Sequence, residues 1–179
     1  MGADDKAYDR NKVGKEYGEK LDEYRKADPD GYEHMVKIHE GKGHWMNLED
    51  KVAVPWMAKF TRDPVPAKVV WKQTGTVHDR SYWLAVPAKE AKGDSLVVAR
   101  REKQTVEIEK AEKVEKLIVR FDDRTADLDK AVEVKQDGKK LFSGEVNRTI
   151  GTMAKTLAGR GDPGLVFDAE VEVTVAEKK

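Results

Sequence analysis

The hydrophobic periodicity of the chain changes at Asp63-Pro64-Val65-Pro66, and this change constrains the fold more than any other sequence feature. Before it, apolar residues recur at the spacing of an amphipathic helix. After it, short runs alternate between apolar and polar residues, which is typical of half-buried strands. Two prolines within four residues favour a stiff connection. We therefore predict two parts, residues 1–62 and residues 67–179.

The first part is predicted to fold as helix, strand, loop and helix. Residues 5–27 have helical periodicity, and Tyr32–His39 alternates as a strand does. Asn47 is a good N-cap for the second helix, and Pro55 is expected to kink or split it. The predicted buried stripe of this second helix comprises Leu48, Val52, Trp56 and Phe60.

The second part is predicted to be an antiparallel β-sandwich of about 110 residues with one short helix. Asp137-Gly138 is a two-residue hairpin signal, Thr149–Ala158 fits the helix, and Leu165–Val175 is the clearest strand. The remaining predicted strands are Val69–Trp71, Tyr82–Val86, Leu96–Arg100, Thr105–Glu109, Leu117–Phe121, Ala131–Lys135 and Leu141–Val146.

Composition argues against several classes of function. The 34 basic and 34 acidic side chains balance, so we expect no nucleic-acid partner. No apolar run approaches the roughly 20 residues that span a bilayer, and we expect no membrane partner. The chain has no Cys, which excludes a disulfide, a thiolate zinc site or a Cys nucleophile. His34 and His39 would point to opposite faces of one strand, and we expect neither a metal nor a cofactor.

Two loops carry residues that could perform acid–base chemistry. Asp5 follows Gly2-Ala3-Asp4, and His44 closes the Gly-rich loop after the predicted strand. An acid after one parallel strand and a histidine after the next would meet at the carboxyl edge of a sheet. There a carboxylate fixes the tautomer of a general-base imidazole. We predict Asp5 as the acid and His44 as the base, with a helix N-cap and an ordinary loop histidine as the respective alternatives.

These residues resemble the C-terminal end of a bacterial α/β-hydrolase domain of the dienelactone-hydrolase and secreted esterase or peptidase type. Gly2-x-x-Asp5 is similar to the acid loop of that family, and Tyr32–Trp45 is similar to its last strand and histidine loop. The region after residue 66 looks like a β-rich extension that some of these hydrolases carry. The resemblance implies an α+β chain: the truncated end of an α/β-hydrolase sheet (helix-strand-helix), then the antiparallel β-sandwich.

The resemblance further implies a serine-dependent hydrolase that acts on a small-molecule ester or peptide. Relatives of this kind are often exported to the periplasm or the medium, although the sequence leaves the compartment open. The family nucleophile is a serine in a G-x-S-x-G elbow upstream of the acid. Ser81, Ser95 and Ser143 all follow His44, and none has Gly at both ±2 positions. We therefore interpret the chain as a C-terminal fragment that is inactive alone.

Two other interpretations remain open. The β-sandwich could be a non-catalytic binding, structural or oligomerisation module, or the whole chain could be a free-standing α+β interaction protein. In the fragment interpretation, Tyr32–His39 would lose its neighbouring strands and leave an open edge. We then expect either a homodimer through this remnant of the hydrolase sheet or a mobile N-terminal third.

Overall fold

The computed structural model describes Met1–Ala176 and divides the chain into two compact units between Arg62 and Asp63. The described residues form a mixed α+β structure with three α-helices and two sheets, neither of which closes into a barrel. The division falls at the start of the proline-containing segment where the hydrophobic periodicity changes.

The first unit contains two helices. Helix α1 spans Arg10–Ala27 and follows a 3-10 turn at Ala7–Asp9. It starts later than the sequence predicts because Tyr8 and Asp9 both have a φ of 54°, which interrupts the helical backbone. Helix α2 spans Ala53–Met57 after a 3-10 turn at Glu49–Val52. Pro55 thus lies in the first turn of α2, where its missing N–H costs no intrahelical hydrogen bond.

The predicted cap and buried stripe of the second helix are wrong. Asn47 and Leu48 have φ values of 50° and 63°, and Leu48 takes the N-cap position without a side-chain cap. Leu48 is 77% exposed and Phe60 is 46% exposed. No member of the stripe is buried, and the buried large apolar side chains of the described chain all belong to the second unit.

The predicted strand Tyr32–His39 is also wrong. This segment has no ladder, and its one β-bridge joins His39 to Gly2 in parallel. A strand is stabilised by the strands beside it, and Met1–Ala3 offers too few residues to form a ladder. The segment nevertheless packs on α1, since a Cβ at Gly18 would lie 3.0 Å from Val36.

The second unit holds both sheets. The strands are β1 Lys68–Lys72, β2 Arg80–Ser81, β3 Leu84–Ala85, β4 Leu96–Glu102, β5 Thr105–Glu112, β6 Lys116–Phe121, β7 Val132–Gln136, β8 Lys139–Gly144 and β9 Ala169–Thr174. One sheet has the order β1-β4-β5-β7-β8 and the other has the order β2-β3-β6-β9.

The sandwich is not purely antiparallel, which corrects the sequence-based expectation. Strands β5 and β7 pair in parallel from Thr105↔Glu133 to Ile108↔Gln136. Between them the chain crosses to the other sheet as β6, and such a crossover returns the next strand in the same direction. The other pairs are antiparallel.

One hydrophobic core joins the inner faces of the two sheets. Alternate residues point inward, as at Val132 and Val134 of β7 or Leu117 and Val119 of β6. The largest fully buried side chains include Trp83, Phe121 and Phe167. This core makes the second unit a self-contained module.

The predicted helix of the second unit is confirmed as α3, which spans Ile150–Arg160. The Thr149 hydroxyl caps it by accepting a hydrogen bond from the Thr152 N–H at 3.0 Å. The predicted strand that follows is shorter than expected: Leu165 ends a 3-10 turn, and β9 begins at Ala169. Leu165 is nevertheless buried, which explains its place in the alternating pattern.

The Asp137-Gly138 hairpin is confirmed between β7 and β8. Asp137 and Gly138 have φ values of 51° and 75°, as a two-residue hairpin turn with both central residues left-handed requires. Glycine is the residue that adopts this conformation without a steric cost.

We predict that Gly138→Ala lowers the free energy of unfolding of the second unit by about 1 kcal/mol, because a Cβ disfavours the left-handed backbone. Urea unfolding followed by tryptophan fluorescence would measure this change. Gly75→Ala is the matched control, since Gly75 has open space around its Cβ position and no positive φ. An equal effect of the two substitutions would contradict the prediction.

Candidate functional site

Backbone hydrogen bonds join the acid loop, residues 2–5, to the segment that leads into the histidine loop, residues 40–45, and to that loop itself. The Ala3 N–H donates to the His39 carbonyl at 2.9 Å, and the His39 N–H donates to the Met1 carbonyl at 2.9 Å. The Asp4 N–H then donates to the Lys42 carbonyl at 2.8 Å. The acid loop and the histidine loop are thus joined side by side, and α1 makes the connection between the two paired segments.

The start of α1 fixes the acid loop from its other side. The Asn11 side chain donates to the Ala3 carbonyl at 2.7 Å, and the Asn11 N–H donates to the Asp5 carbonyl at 3.1 Å. The loop backbone is therefore held both by the helix that follows it and by the histidine loop.

Gly2 permits the close approach of the two loops. A Cβ at this position would lie 2.2 Å from the carbonyl oxygens of both Lys42 and Gly43, which no side chain can tolerate. These oxygens belong to the backbone and cannot rotate away. The Gly2-x-x-Asp5 spacing therefore combines a glycine that admits the histidine loop with the acid that meets its histidine.

Asp5 and His44 form a hydrogen-bonded pair. His44 Nδ1 lies 3.0 Å from Asp5 Oδ2. Asp5 is 7% exposed, whereas the His44 side chain is 57% exposed. An ionised carboxylate only accepts hydrogen bonds, so Nδ1 must carry the proton, and in the neutral ring Nε2 is then the basic nitrogen.

The surroundings of Asp5 favour its ionised form. The hydrogen bond from His44 lowers the pKa of Asp5 most strongly, burial opposes this effect, and the charge of Arg10 lowers it further. The net result is a pKa below the ordinary value of 3.8. Asp5 is therefore a carboxylate at neutral pH.

The structure also bears on the alternative roles of the two residues. The N-cap position of α1 is Asp9, and Lys6 precedes the 3-10 turn, so Asp5 does not cap the helix. His44 contacts the buried Asp5 carboxylate, which an ordinary loop histidine could also do. The catalytic roles of Asp5 and His44 remain a prediction.

Sequence reasoning missed two residues of this site, Arg10 and Asn11. Arg10 Nη1 donates to Asp5 Oδ1 at 3.2 Å and lies 3.4 Å from His44 Nδ1. Both residues are in the first turn of α1, where the predicted helix already included them. No sequence motif links residues at these spacings from Asp5. The only signal in the sequence is that both are polar residues close to the acid loop.

The other histidines of the first unit pair with carboxylates at separate places. His39 Nδ1 lies 3.5 Å from Glu49 Oε2, and His34 Nε2 lies 3.3 Å from Asp22 Oδ1. Among the described residues, no group of three or more His, Asp or Glu could hold a metal ion. These pairs therefore tie segments of the first unit together.

The serines all lie in the second unit, and residues 1–62 contain none. Ser95 is buried at the residue before β4, after the turn at Gly93-Asp94. The first unit thus contains the hydrogen-bonded pair of Asp5 and His44 but no serine.

Comparison with protein-family models, with curated proteins and with solved structures finds no match to this chain. The helices in the described part of the chain are too short or too polar to cross a membrane.

We predict that Gly2→Ala separates the two loops, because its Cβ would overlap the Lys42 and Gly43 carbonyl oxygens. Amide hydrogen exchange at Ala3, Asp4 and His39 would report this as lost protection. Gly43→Ala is the matched control in the same contact, since its Cβ would meet open space. Retained protection in Gly2→Ala would show that the close approach does not hold the loops.

We predict that His44→Ala raises the pKa of Asp5, because the His44 hydrogen bond is the largest influence that lowers it. Asp5 in the unsubstituted chain should thus stabilise the loop above its unfolded-state pKa and cease to do so as the pH falls through its lowered folded-state pKa. Carboxyl ¹³C NMR titration would measure the pKa of Asp5 in the unsubstituted chain and in His44→Ala. His34→Ala, which removes a histidine paired with Asp22, should leave the Asp5 titration unchanged.

Proposed function

We propose that the first unit supplies the acid and the base of a serine-dependent α/β-hydrolase that cleaves an ester or peptide bond. The observation that carries this proposal is the hydrogen bond between the buried Asp5 carboxylate and Nδ1 of the exposed His44 ring. A buried acid behind an exposed imidazole is the arrangement that hydrolases use to activate a serine.

In this proposal Asp5 holds the ring with its proton on Nδ1, so that Nε2 can accept the proton of a serine hydroxyl. The serine oxygen then attacks the carbonyl carbon of the substrate. Asp5 stabilises the imidazolium that results, and His44 Nε2 returns the proton to the leaving alcohol or amine. Water completes the cycle by hydrolysing the acyl-enzyme with His44 again acting as the base.

The parallel contact between Met1–Ala3 and Lys37–His39, connected by α1, supports this proposal. It places the acid loop and the histidine loop after neighbouring parallel segments, as the carboxyl edge of an α/β sheet does. We propose that the nucleophile and the oxyanion hole belong to a longer protein of which this chain is the C-terminal part. Without them the pair has nothing to activate, so the chain alone should be inactive.

The exposed apolar side chains of the first unit fit the same proposal. Tyr17 of α1 is 65% exposed, and Val54 and Met57 of α2 are also exposed. In the longer protein we propose that further strands and helices of the hydrolase domain cover this surface. When the chain is alone, we propose that a second copy covers this apolar surface in a homodimer.

The second candidate function is a non-catalytic binding or structural module formed by the β-sandwich. It is favoured by the location of the core, because the second unit buries its own large apolar side chains. In this alternative the first unit only attaches the sandwich to another domain.

The decisive experiment is to sequence the source DNA upstream of Met1, express the longer chain and treat it with a fluorophosphonate, which labels activated serines. We expect an open frame with a G-x-S-x-G elbow whose serine is labelled. His44→Ala should abolish labelling, and Asp5→Asn should slow it by roughly 10²- to 10⁴-fold. His34→Ala is the matched histidine control and should label normally.

Three results would contradict the hydrolase proposal. They are stop codons directly upstream of Met1, an unrelated upstream domain, or labelling that does not depend on His44. The second result would support the binding or structural module instead.

A further inference from the structure

Arg10 and His44 each form a hydrogen bond with a different oxygen of the Asp5 carboxylate. Its Nη1 atom donates to Asp5 Oδ1 at 3.2 Å, which leaves Oδ2 to accept from His44 Nδ1 at 3.0 Å. The same Nη1 atom lies 3.4 Å from His44 Nδ1. Acid, imidazole and guanidinium thus form one closed group of three contacts.

We propose that Arg10 is a positioning residue that aims Oδ2 of Asp5 at His44 and keeps the imidazole in its neutral form, ready to act as a base. This inference rests on the proposed function, since a neutral imidazole beside an ionised acid is the resting state that general-base catalysis requires. It adds a third member to the pair that the sequence suggests.

The charges of the group explain why Arg10 favours the neutral ring. With His44 neutral, Arg10 and Asp5 cancel. When His44 takes up a proton, the group carries a net positive charge, and two cations then stand 3.4 Å apart. Nδ1 and Nη1 are both hydrogen-bond donors, so no hydrogen bond between them offsets this repulsion. Asp5 alone would favour the imidazolium, and Arg10 limits that effect.

The local backbone explains how Arg10 reaches the acid. Arg10 is the first residue of α1 and follows two residues in the left-handed conformation, Tyr8 and Asp9. Its guanidinium lies 5.1 Å from the centre of the Tyr8 ring, an additional favourable contact. The Asn11 N–H bond to the Asp5 carbonyl fixes the helix start against the acid loop.

Lys42 of the histidine loop pairs with a carboxylate outside the loop and not with the Asp5–His44 pair. Lys42, two residues before His44, contacts Glu49 Oε1 at 2.6 Å, and His39 faces the other oxygen of Glu49 at 3.5 Å. Trp45 presents its uncharged ring to His44 at a centroid distance of 5.4 Å. Asp5 and Arg10 are therefore the charged groups that contact the His44 ring in the described structure.

The test measures the pH profile of carbethoxylation of His44 in this chain by diethyl pyrocarbonate, which reacts with neutral imidazole. Peptide mass spectrometry separates the rate at His44 from the rate at His78, an exposed histidine of the second unit that serves as an internal reference. The variants are Arg10→Gln, Arg10→Lys and Asp5→Asn. Lys12→Gln is the matched control, since it removes a positive charge from the same turn of α1, where Lys12 contacts Glu16.

We expect Arg10→Gln to slow the reaction of His44 about threefold at pH 6 relative to His78, because the Arg10 charge no longer disfavours the imidazolium. The reaction rate on the plateau at pH 8.5 should not change. Arg10→Lys should restore most of the original profile, and Lys12→Gln should not move it. If Arg10 only supported the loop, the plateau would change while the inflection stayed in place, and that result would overturn the proposal.

Asp5→Asn separates this inference from the proposed function. Loss of the acid should move the His44 profile to lower pH, in the direction opposite to Arg10→Gln. If Asp5→Asn moves the profile and Arg10→Gln does not, the role of Arg10 is wrong and the acid–base pair stands. If neither substitution moves it, the pair does not operate as proposed, and both proposals fail.

Discussion

The site in the first unit depends on a short stretch of backbone pairing between its two loops. The hydrogen bonds between Ala3 and His39 and between Asp4 and Lys42 bring the acid loop within reach of the imidazole. Gly2 makes this approach sterically possible because a side chain would occupy the position of two carbonyl oxygens. The pairing of Asp5 with His44 follows from this contact, and the start of α1 adds Arg10 to the pair.

The two units differ in how much of their apolar surface they bury. The second unit folds two sheets over a shared apolar core, and its polar alternate residues face outward. The first unit has most of its large apolar side chains on the surface, and ion pairs and backbone hydrogen bonds tie its segments together. Ion pairs at a surface contribute little to stability, so such a unit gains most from a partner that covers it. The part of the chain with the candidate chemistry is thus also the part with the least internal stabilisation.

Elements with strong local signals could be predicted, and elements that need distant partners could not. The Asp137-Gly138 turn and helix α3 follow from turn chemistry and helical periodicity, which act over a few residues. The predicted strand at Tyr32–His39 failed because alternation shows which residues could share a face but not whether a neighbouring strand exists. The parallel pairing of β5 and β7 was missed because strand direction is set by the path of the chain between the sheets.

The sequence by itself determined the change of architecture near residue 63, the alternation of the sandwich strands, and the order of acid before histidine. These features depend on spacing along the chain, which is local information. Only the tertiary structure decided that Asp5 is buried and bonded to Nδ1 of His44, that Arg10 also bonds to the carboxylate, and that the first unit leaves most of its large apolar residues exposed. The physical reason is that a contact between residues 39 positions apart forms through backbone pairing and loop geometry, which no short pattern of residue types specifies.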